Sequence, residues 1–451
     1  MLYQLPLSLL AFLPLLSVRA APYCTLRPSS VSSSSPSTST SGSSPTSSGP
    51  SGSSGSNSPS NDLVAMSWFT GWNAASNPPF TPDNITWSKY STVAYAFATT
   101  TPDVNTVALE ASDEVLLPQF VDLAHQNNVK AVLTIGGWTG SQYFSTAVAT
   151  SENRTAFVNA VLGLASKYNL DGLDFDWEYP AQTGIGCNTN SPDDAANFLS
   201  FLQALRAAAS NLTLSAAVGD KPWTGSNGSP STNVSAFAAS LDYIEVMNYD
   251  VWGSWSPTVG PNSPLNDTCA PSADQQGSAV SALAAWTAAG FPANQIVLGV
   301  AGYGHSFDVP QATAFASGST TELAAYPSFE KSDQPLGDSW DSDAPAGVDQ
   351  CGAATGGPSG IFNYWGLIEE GFLMDNGTVA PGIGYRYDSC SQTPYVYKPS
   401  TQVMVSFDNT ESFAAKGSFI KSSGMRGFAM WDSGSDYENM LIDSIRTAAG
   451  L

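Results

Sequence analysis

The chain has 451 residues, 42% of them hydrophobic, enough for one large barrel with an insertion or for two or three average domains. Its 15 basic and 38 acidic residues leave a formal charge of −23. That balance excludes nucleic acid and anionic membrane surfaces as partners, because both need clustered Lys and Arg, and suits a neutral or cationic polymer.

Residues 1–20 read as a secretory signal peptide: Leu5 to Leu16 is an apolar core, and Ser17-Val18-Arg19-Ala20 supplies small residues for cleavage. The apolar run is too short for a membrane anchor, and no later stretch is apolar enough to span a bilayer. Residues 21–61 form a short segment followed by a Ser/Pro/Gly/Thr tract without apolar periodicity, which reads as a disordered, O-glycosylated linker. Secretion permits disulfides, and none of the five cysteines sits in a C-x-x-C motif. Cys24, isolated before the linker, is the candidate unpaired thiol. Sequons at Asn84, Asn153, Asn211, Asn227, Asn233, Asn266 and Asn376 fit a glycosylated secreted protein.

From Val64 onward, short apolar runs alternate with helix-length segments. The predicted strands are Met66–Gly71, Thr92–Ala98, Ala131–Gly136, Gly172–Glu178, Leu212–Val218, Tyr243–Tyr249, Ile296–Tyr303 and Arg426–Trp431. Helical patterns lie between most of them, at Glu114–Asn127, Arg154–Tyr168, Asp194–Ser210 and Ala279–Ala289. The alternation predicts an α/β chain, a (β/α)8 TIM barrel over 62–451. Residues 306–395 are too long for a loop and read as an inserted small α+β subdomain after strand seven. Cys351 and Cys390 both lie in it and are expected to pair. Cys187 and Cys269 follow strands four and six and are expected to meet across the barrel top.

The fourth predicted strand carries the chemistry. In Asp171-Gly172-Leu173-Asp174-Phe175-Asp176-Trp177-Glu178, acids and bulky apolar groups alternate. Alternate side chains of a strand point to opposite faces, so one face presents Asp174, Asp176 and Glu178, with Cα atoms about 6.7 Å apart. Like charges so close raise at least one pKa. Asp174, the deepest, is expected to share a proton with Asp176, while Glu178 at the rim stays protonated as a general acid. In this fold, sites lie at the C-terminal strand ends. Gly136-Gly137-Trp138, Glu178, Tyr249-Asp250 and Trp431 therefore converge on one mouth. A carboxylate Mg2+ site usually serves phosphates, and no phosphate-cradling glycine loop accompanies this strand. No metal and no cofactor are expected. Trp177 on the apolar face, with Trp87 and Trp286, is assigned to the core, and His125 to a helix surface.

These residues carry a resemblance. The Asp171–Glu178 segment resembles the D-G-x-D-x-D-x-E signature of family 18 glycoside hydrolases, the chitinase family. Met247-x-Tyr249-Asp250 is similar to its M-x-Y-D, and Thr134-Ile135-Gly136-Gly137 to its S-x-G-G with Thr for Ser. The chain resembles fungal class V chitinases bearing a chitinase insertion domain. The resemblance implies a secreted, monomeric chitinase acting on chitin and chitooligosaccharides with retention of configuration. Asp176 and Glu178 are strand neighbours, poorly placed to flank a glycosidic bond, and the family uses the substrate's own acetamide as nucleophile. It implies Glu178 as acid, Asp176 on the acetamido N–H, Asp174 holding the proton, and Tyr249 donating to the acetamido oxygen. Trp431 floors the −1 sugar, Trp72, Trp138 and Trp255 stack on others, and Phe97, Gly137, Tyr179, Met247, Asp250 and Tyr303 complete the walls. His305 stands where the family often has Arg. The alternatives are a chitin-binding lectin on the same fold and an endo-β-N-acetylglucosaminidase acting on N-glycans. Glu at position 178 favours the enzyme, and the deep-cleft insertion favours chitin.

Overall fold

The computed structural model describes residues 63–341 and 344–451. The expected signal peptide, the linker and Cys24 lie outside the described residues. Eight parallel strands form a closed ring: Val64–Thr70, Thr92–Thr100, Lys130–Gly136, Gly172–Asp176, Thr213–Val218, Tyr243–Val246, Ile296–Ala301 and Gly427–Trp431. Each pairs with the next, and the last pairs with the first from Val64↔Gly427 to Ser67↔Met430. The strands are almost wholly buried, which accounts for their near-continuous apolar runs.

Alternation along each strand separates two cores. Outward residues such as Leu133, Leu173, Phe175 and Ile244 pack against the surrounding helices. Inward residues are mostly small, among them Ala94, Ala96, Ala217 and Ala429, and they leave room for Met66, Trp68 and Tyr243. The main helices, Asp113–Gln126, Ser151–Tyr168, Asp194–Ala208, Ala279–Ala288 and Thr410–Ser423, follow strands two, three, four, six and seven. Side chains cap some of their starts: Thr150 accepts from the Asn153 N–H and Asn409 from the Ser412 N–H. Left-handed residues end the same two helices, Asn169 at φ 55° and Gly424 at φ 67°. Strand one is followed only by 3-10 turns and strand five by the single turn Ser235–Ala238.

Three predicted strands run too far; strand seven stops at Ala301, and Tyr303 opens the second sheet. Strand four ends at Asp176 and strand six at Val246, so Glu178 and Tyr249 lie beyond the last ladder pairs. The Glu178 N–H goes to Ser141 Oγ at 3.0 Å rather than to a strand carbonyl.

A second, antiparallel sheet leaves the end of strand seven. Its order is Ile361–Asn363, Tyr303–Asp308, Val403–Ser406, Thr393–Lys398, Gly384–Asp388. Phe307, Val309, Leu323, Tyr397 and Met404 form its own apolar core with Val259. Asn262, in the loop after barrel strand six, ties it down: Nδ2 donates to Tyr303 O and the backbone N–H to Ser406 Oγ. A separate hairpin, Ala344–Val348 with Ala354–Gly357, projects from the same segment.

The cysteine pairing differs from expectation. Cys187 is bonded to Cys351 and Cys269 to Cys390. Cys351 sits at the tip of the projecting hairpin and reaches the loop after strand four. Cys390 lies in the turn between Gly384–Asp388 and Thr393–Lys398, against the loop after strand six. Both bridges join the inserted segment to the barrel, so nearness in sequence misled.

Candidate active site

Asp174 lies at the bottom of the site, fully buried. Its Oδ1 accepts from Ser215 Oγ at 2.9 Å, and its Oδ2 from Thr134 Oγ1 at 2.9 Å and Trp68 Nε1 at 3.3 Å. Burial raises its pKa against the lowering effect of these donors. Donors from strands one, three and five thus reach both Asp174 oxygens. Trp68, Thr134 and Ser215 are inward positions in apolar runs; a polar group there is the signal that marks them.

Asp176 is one inward position higher and buried, and its Oδ1 has no hydrogen-bond partner. Burial, then the charges of Glu178 and Asp174, push it well above the usual carboxylate range. Glu178 is half-buried and opens into a cavity of about 1020 Å³. Burial pushes its carboxyl up to about 7, and the Asp250 charge adds to the rise against a hydrogen bond from Tyr179. Ser141 and Asn188 hold its backbone. Ser141 Oγ accepts the Glu178 N–H, Asn188 Nδ2 donates to Glu178 O at 2.9 Å, and Gln142 O receives the Thr189 N–H beside it.

Gly136 must be glycine: it has φ 115°, and a Cβ would lie 2.1 Å from Asp176 O. Gly137, φ 78°, backs onto the Phe97 ring. Phe97 stacks on Trp431 at 5.6 Å and on Trp72 at 6.1 Å, forming an aromatic floor. The same cavity is lined by Trp138, Tyr179, Met247, Tyr249, Asp250 and Trp255. Trp72, Trp138 and Trp255 are 53%, 50% and 60% exposed, which fits ring faces offered to a ligand rather than core packing. Trp87, Trp177 and Trp286 are buried, as their assignment to the core requires.

Asp250 Oδ1 accepts from the Tyr303 hydroxyl at 2.6 Å and faces His305 Nε2 at 2.7 Å. Burial alone would raise this carboxyl, but His305 and the Tyr303 hydroxyl together hold it below the usual value. Tyr249 is pushed well above 10 by burial and then by Asp176, Asp250 and Glu178, so its phenol stays protonated and available as a donor. An adjoining cavity of about 410 Å³ shares Trp72, Asp250, Trp255 and Trp431, and adds Tyr303, His305 and Trp340. Trp340 was not foreseen, since it lies in the insertion with no motif around it.

The structure thus gathers every predicted site residue at one mouth: Asp174 below the cavity, Gly137 behind Phe97, Tyr303 in the adjoining recess, the rest around Glu178. Glu245 was missed. It points into the barrel, and burial and then Asp174 push it well above the usual carboxylate range against the lowering effect of Ser215.

The model of glycosyl hydrolases family 18 matches residues 64–436. A chitinase-like effector of Moniliophthora roreri is 51% identical over 389 residues, 86% of this chain and 93% of its own. Chitinase A1 of Niallia circulans is 30% identical over 338 residues, 71% of this chain and 42% of its own. The crystal structure of a Rhizomucor miehei chitinase superposes with a TM-score of 0.75 at 31% identity, over 86% of this chain and 100% of its own.

Proposed function

The chain belongs to family 18 of the glycosyl hydrolases, and we propose that it is a secreted chitinase cleaving β-1,4 bonds between N-acetylglucosamine units with retention. The observation that carries this reading is Glu178. A carboxyl pushed up to about 7 opens into a cavity floored by Phe97, Trp72 and Trp431, which is what a general acid at a sugar site requires. Glu178 protonates the glycosidic oxygen as the acetamido carbonyl oxygen bonds to the anomeric carbon and the leaving sugar departs. Asp176, buried beside it, stabilises the charged oxazolinium through the acetamido N–H. Asp174, held by Ser215, Thr134 and Trp68, keeps the proton balance of the pair, and the Tyr249 phenol donates to the acetamido oxygen. Glu178 then takes a proton from water, whose oxygen bonds to the anomeric carbon as the bond from that carbon to the acetamido oxygen breaks. Residues 1–20 as signal peptide, 21–61 as linker and 306–395 as the insertion that deepens the cleft belong to the same reading.

The name chitinase-like effector of a relative 51% identical favours a second reading, a protein that holds chitooligosaccharides without cleaving them. One experiment separates the two. Soluble chitooligosaccharides are expected to be cleaved by the protein, and Glu178→Gln is expected to lose about 10²–10⁴-fold in turnover while keeping its affinity. Equal turnover in the variant sinks the acid assignment. Tight binding with no turnover by the unaltered protein establishes the second reading.

A further inference from the structure

The run from Met247 to Asp250 brings Tyr249 and Asp250 to the cavity, yet it lies beyond the last ladder pair of strand six. Something other than the sheet must hold its backbone. Asp250 also sits at φ 55°, a left-handed conformation that costs free energy for a residue other than glycine and persists where the surroundings enforce it.

The turn Asn262-Ser263-Pro264 supplies the hold. The Asp250 N–H donates to Asn262 Oδ1 at 2.9 Å, and the Val251 N–H to Asn262 O at 3.1 Å. Asn248 Nδ2 donates to Pro264 O at 3.1 Å, and Ser263 Oγ donates to Asn248 O at 2.6 Å. Asn248 O belongs to the peptide bond ahead of Tyr249, and the Asp250 N–H to the one after it. Both peptide planes that flank Tyr249 are therefore set from this turn.

A buried ion pair stands behind the turn. Lys416, on the helix Thr410–Ser423, and Asp408, just ahead of that helix, have fully buried side chains. Lys416 Nζ donates to Asp408 Oδ1 at 2.6 Å and to Ser263 Oγ at 2.8 Å. Burial lowers the Lys416 pKa, and the Asp408 charge opposes that. An ammonium donates and never accepts. It fills the acceptor side of the Ser263 hydroxyl, so the one Ser263 proton turns to Asn248 O. A charged donor also strengthens the bond that its acceptor makes in turn.

We infer that Lys416, paired with Asp408, is a positioning residue of the site: through Ser263 it fixes the peptide ahead of Tyr249 and keeps Asp250 left-handed, so that phenol and carboxylate stay at the cavity. The effect on cleavage rests on the chitinase reading; the effect on the strand-six end does not.

The first arm of the test therefore needs no turnover. Lys416→Met and Asp408→Asn are made together in the full-length protein, so that neither charge is left buried alone. Hydrogen exchange of the peptide spanning Met247–Trp252, followed by mass spectrometry, is expected to be at least about tenfold faster, with the barrel strands unchanged. Parent-like protection of that peptide overturns the inference. So does a loss of protection spread over all the strands, which would make the pair a support of the fold alone. The second arm is kinetic, on a soluble chitooligosaccharide. The paired variant is expected to lose about 10–100-fold in kcat with KM within about twofold. Ser263→Ala should reproduce the loss, and adding it to the pair should deepen it no further; losses that multiply overturn the relay through Ser263. Ser263→Ala alone carries both arms should the paired variant fail to fold, which circular dichroism reports. If the unaltered protein cleaves nothing, the chitinase reading fails, and hydrogen exchange still decides the inference.

Discussion

Asp250 shows how much of a site's chemistry is set by a residue that need not transfer a proton. Its charge helps to keep Glu178 protonated up to about 7, and Tyr303 and His305 hold that charge in place. In the proposed mechanism Glu178 acts as an acid only while protonated, so the rate should fall as pH rises through about 7. Asp250→Asn removes the like charge and lowers the Glu178 pKa. The alkaline limb of kcat/KM on a soluble chitooligosaccharide should move to lower pH, and an unchanged or more alkaline limb would contradict the coupling. Spacing alone ordered Asp174, Asp176 and Glu178 by depth, and that order stands. It could not show that Asp174 is tied up by Trp68, Thr134 and Ser215, because those donors come from three other strands.

At the scale of the element, the fourth strand has two working faces. The outer one is not passive: Trp177 stacks on Phe144 at 5.1 Å and meets Phe198 edge-on at 5.5 Å. Trp177→Ala should destabilise the fold by about 3–5 kcal/mol, the usual result of emptying so large a core site. A urea midpoint within error of the parent would show that this packing does not position the strand end. Gly136→Ala should also be poorly tolerated, since its Cβ would lie 2.1 Å from Asp176 O. The affected carbonyl belongs to Asp176, which the proposed mechanism uses, so activity on a soluble oligomer should fall before the fold is lost; full activity at unchanged stability would argue against that close approach. The strands and main helices were legible because burial on both sides imposes apolar runs, and amphipathic helices impose a 3.6-residue period. Their ends were not, since a rim residue's backbone partner is a loop side chain such as Ser141.

For the whole molecule, the buried acids make folding depend on pH in a definite direction. Asp174, Asp176, Glu178 and Glu245 all bind protons more tightly folded than unfolded. Between the ordinary carboxylate range near 4 and the Glu178 value of about 7, the folded state holds more protons, so stability falls as pH rises through that window. Asp250 and Asp388, held low, act the other way only below about pH 4. The formal charge of −23 at neutral pH adds self-repulsion in the same direction. Thermal unfolding should therefore occur several degrees higher at pH 5 than at pH 8, and the reverse order would mean these acids are ionised in the folded protein.

By itself the sequence determined the barrel and the acidic face of strand four, because alternation and strand order are one-dimensional patterns, while most of the aromatic walls of the mouth were named only through the family resemblance. The tertiary structure decided what joins across the mouth. Cys187 and Cys351 are 164 residues apart, and Cys269 and Cys390 are 121 apart, and pairing over such distances depends on where the inserted segment lies in space. The same holds for the His305–Asp250–Tyr303 contact and for Trp340: each joins the insertion to the barrel, and no local pattern encodes a contact between segments that meet only after folding.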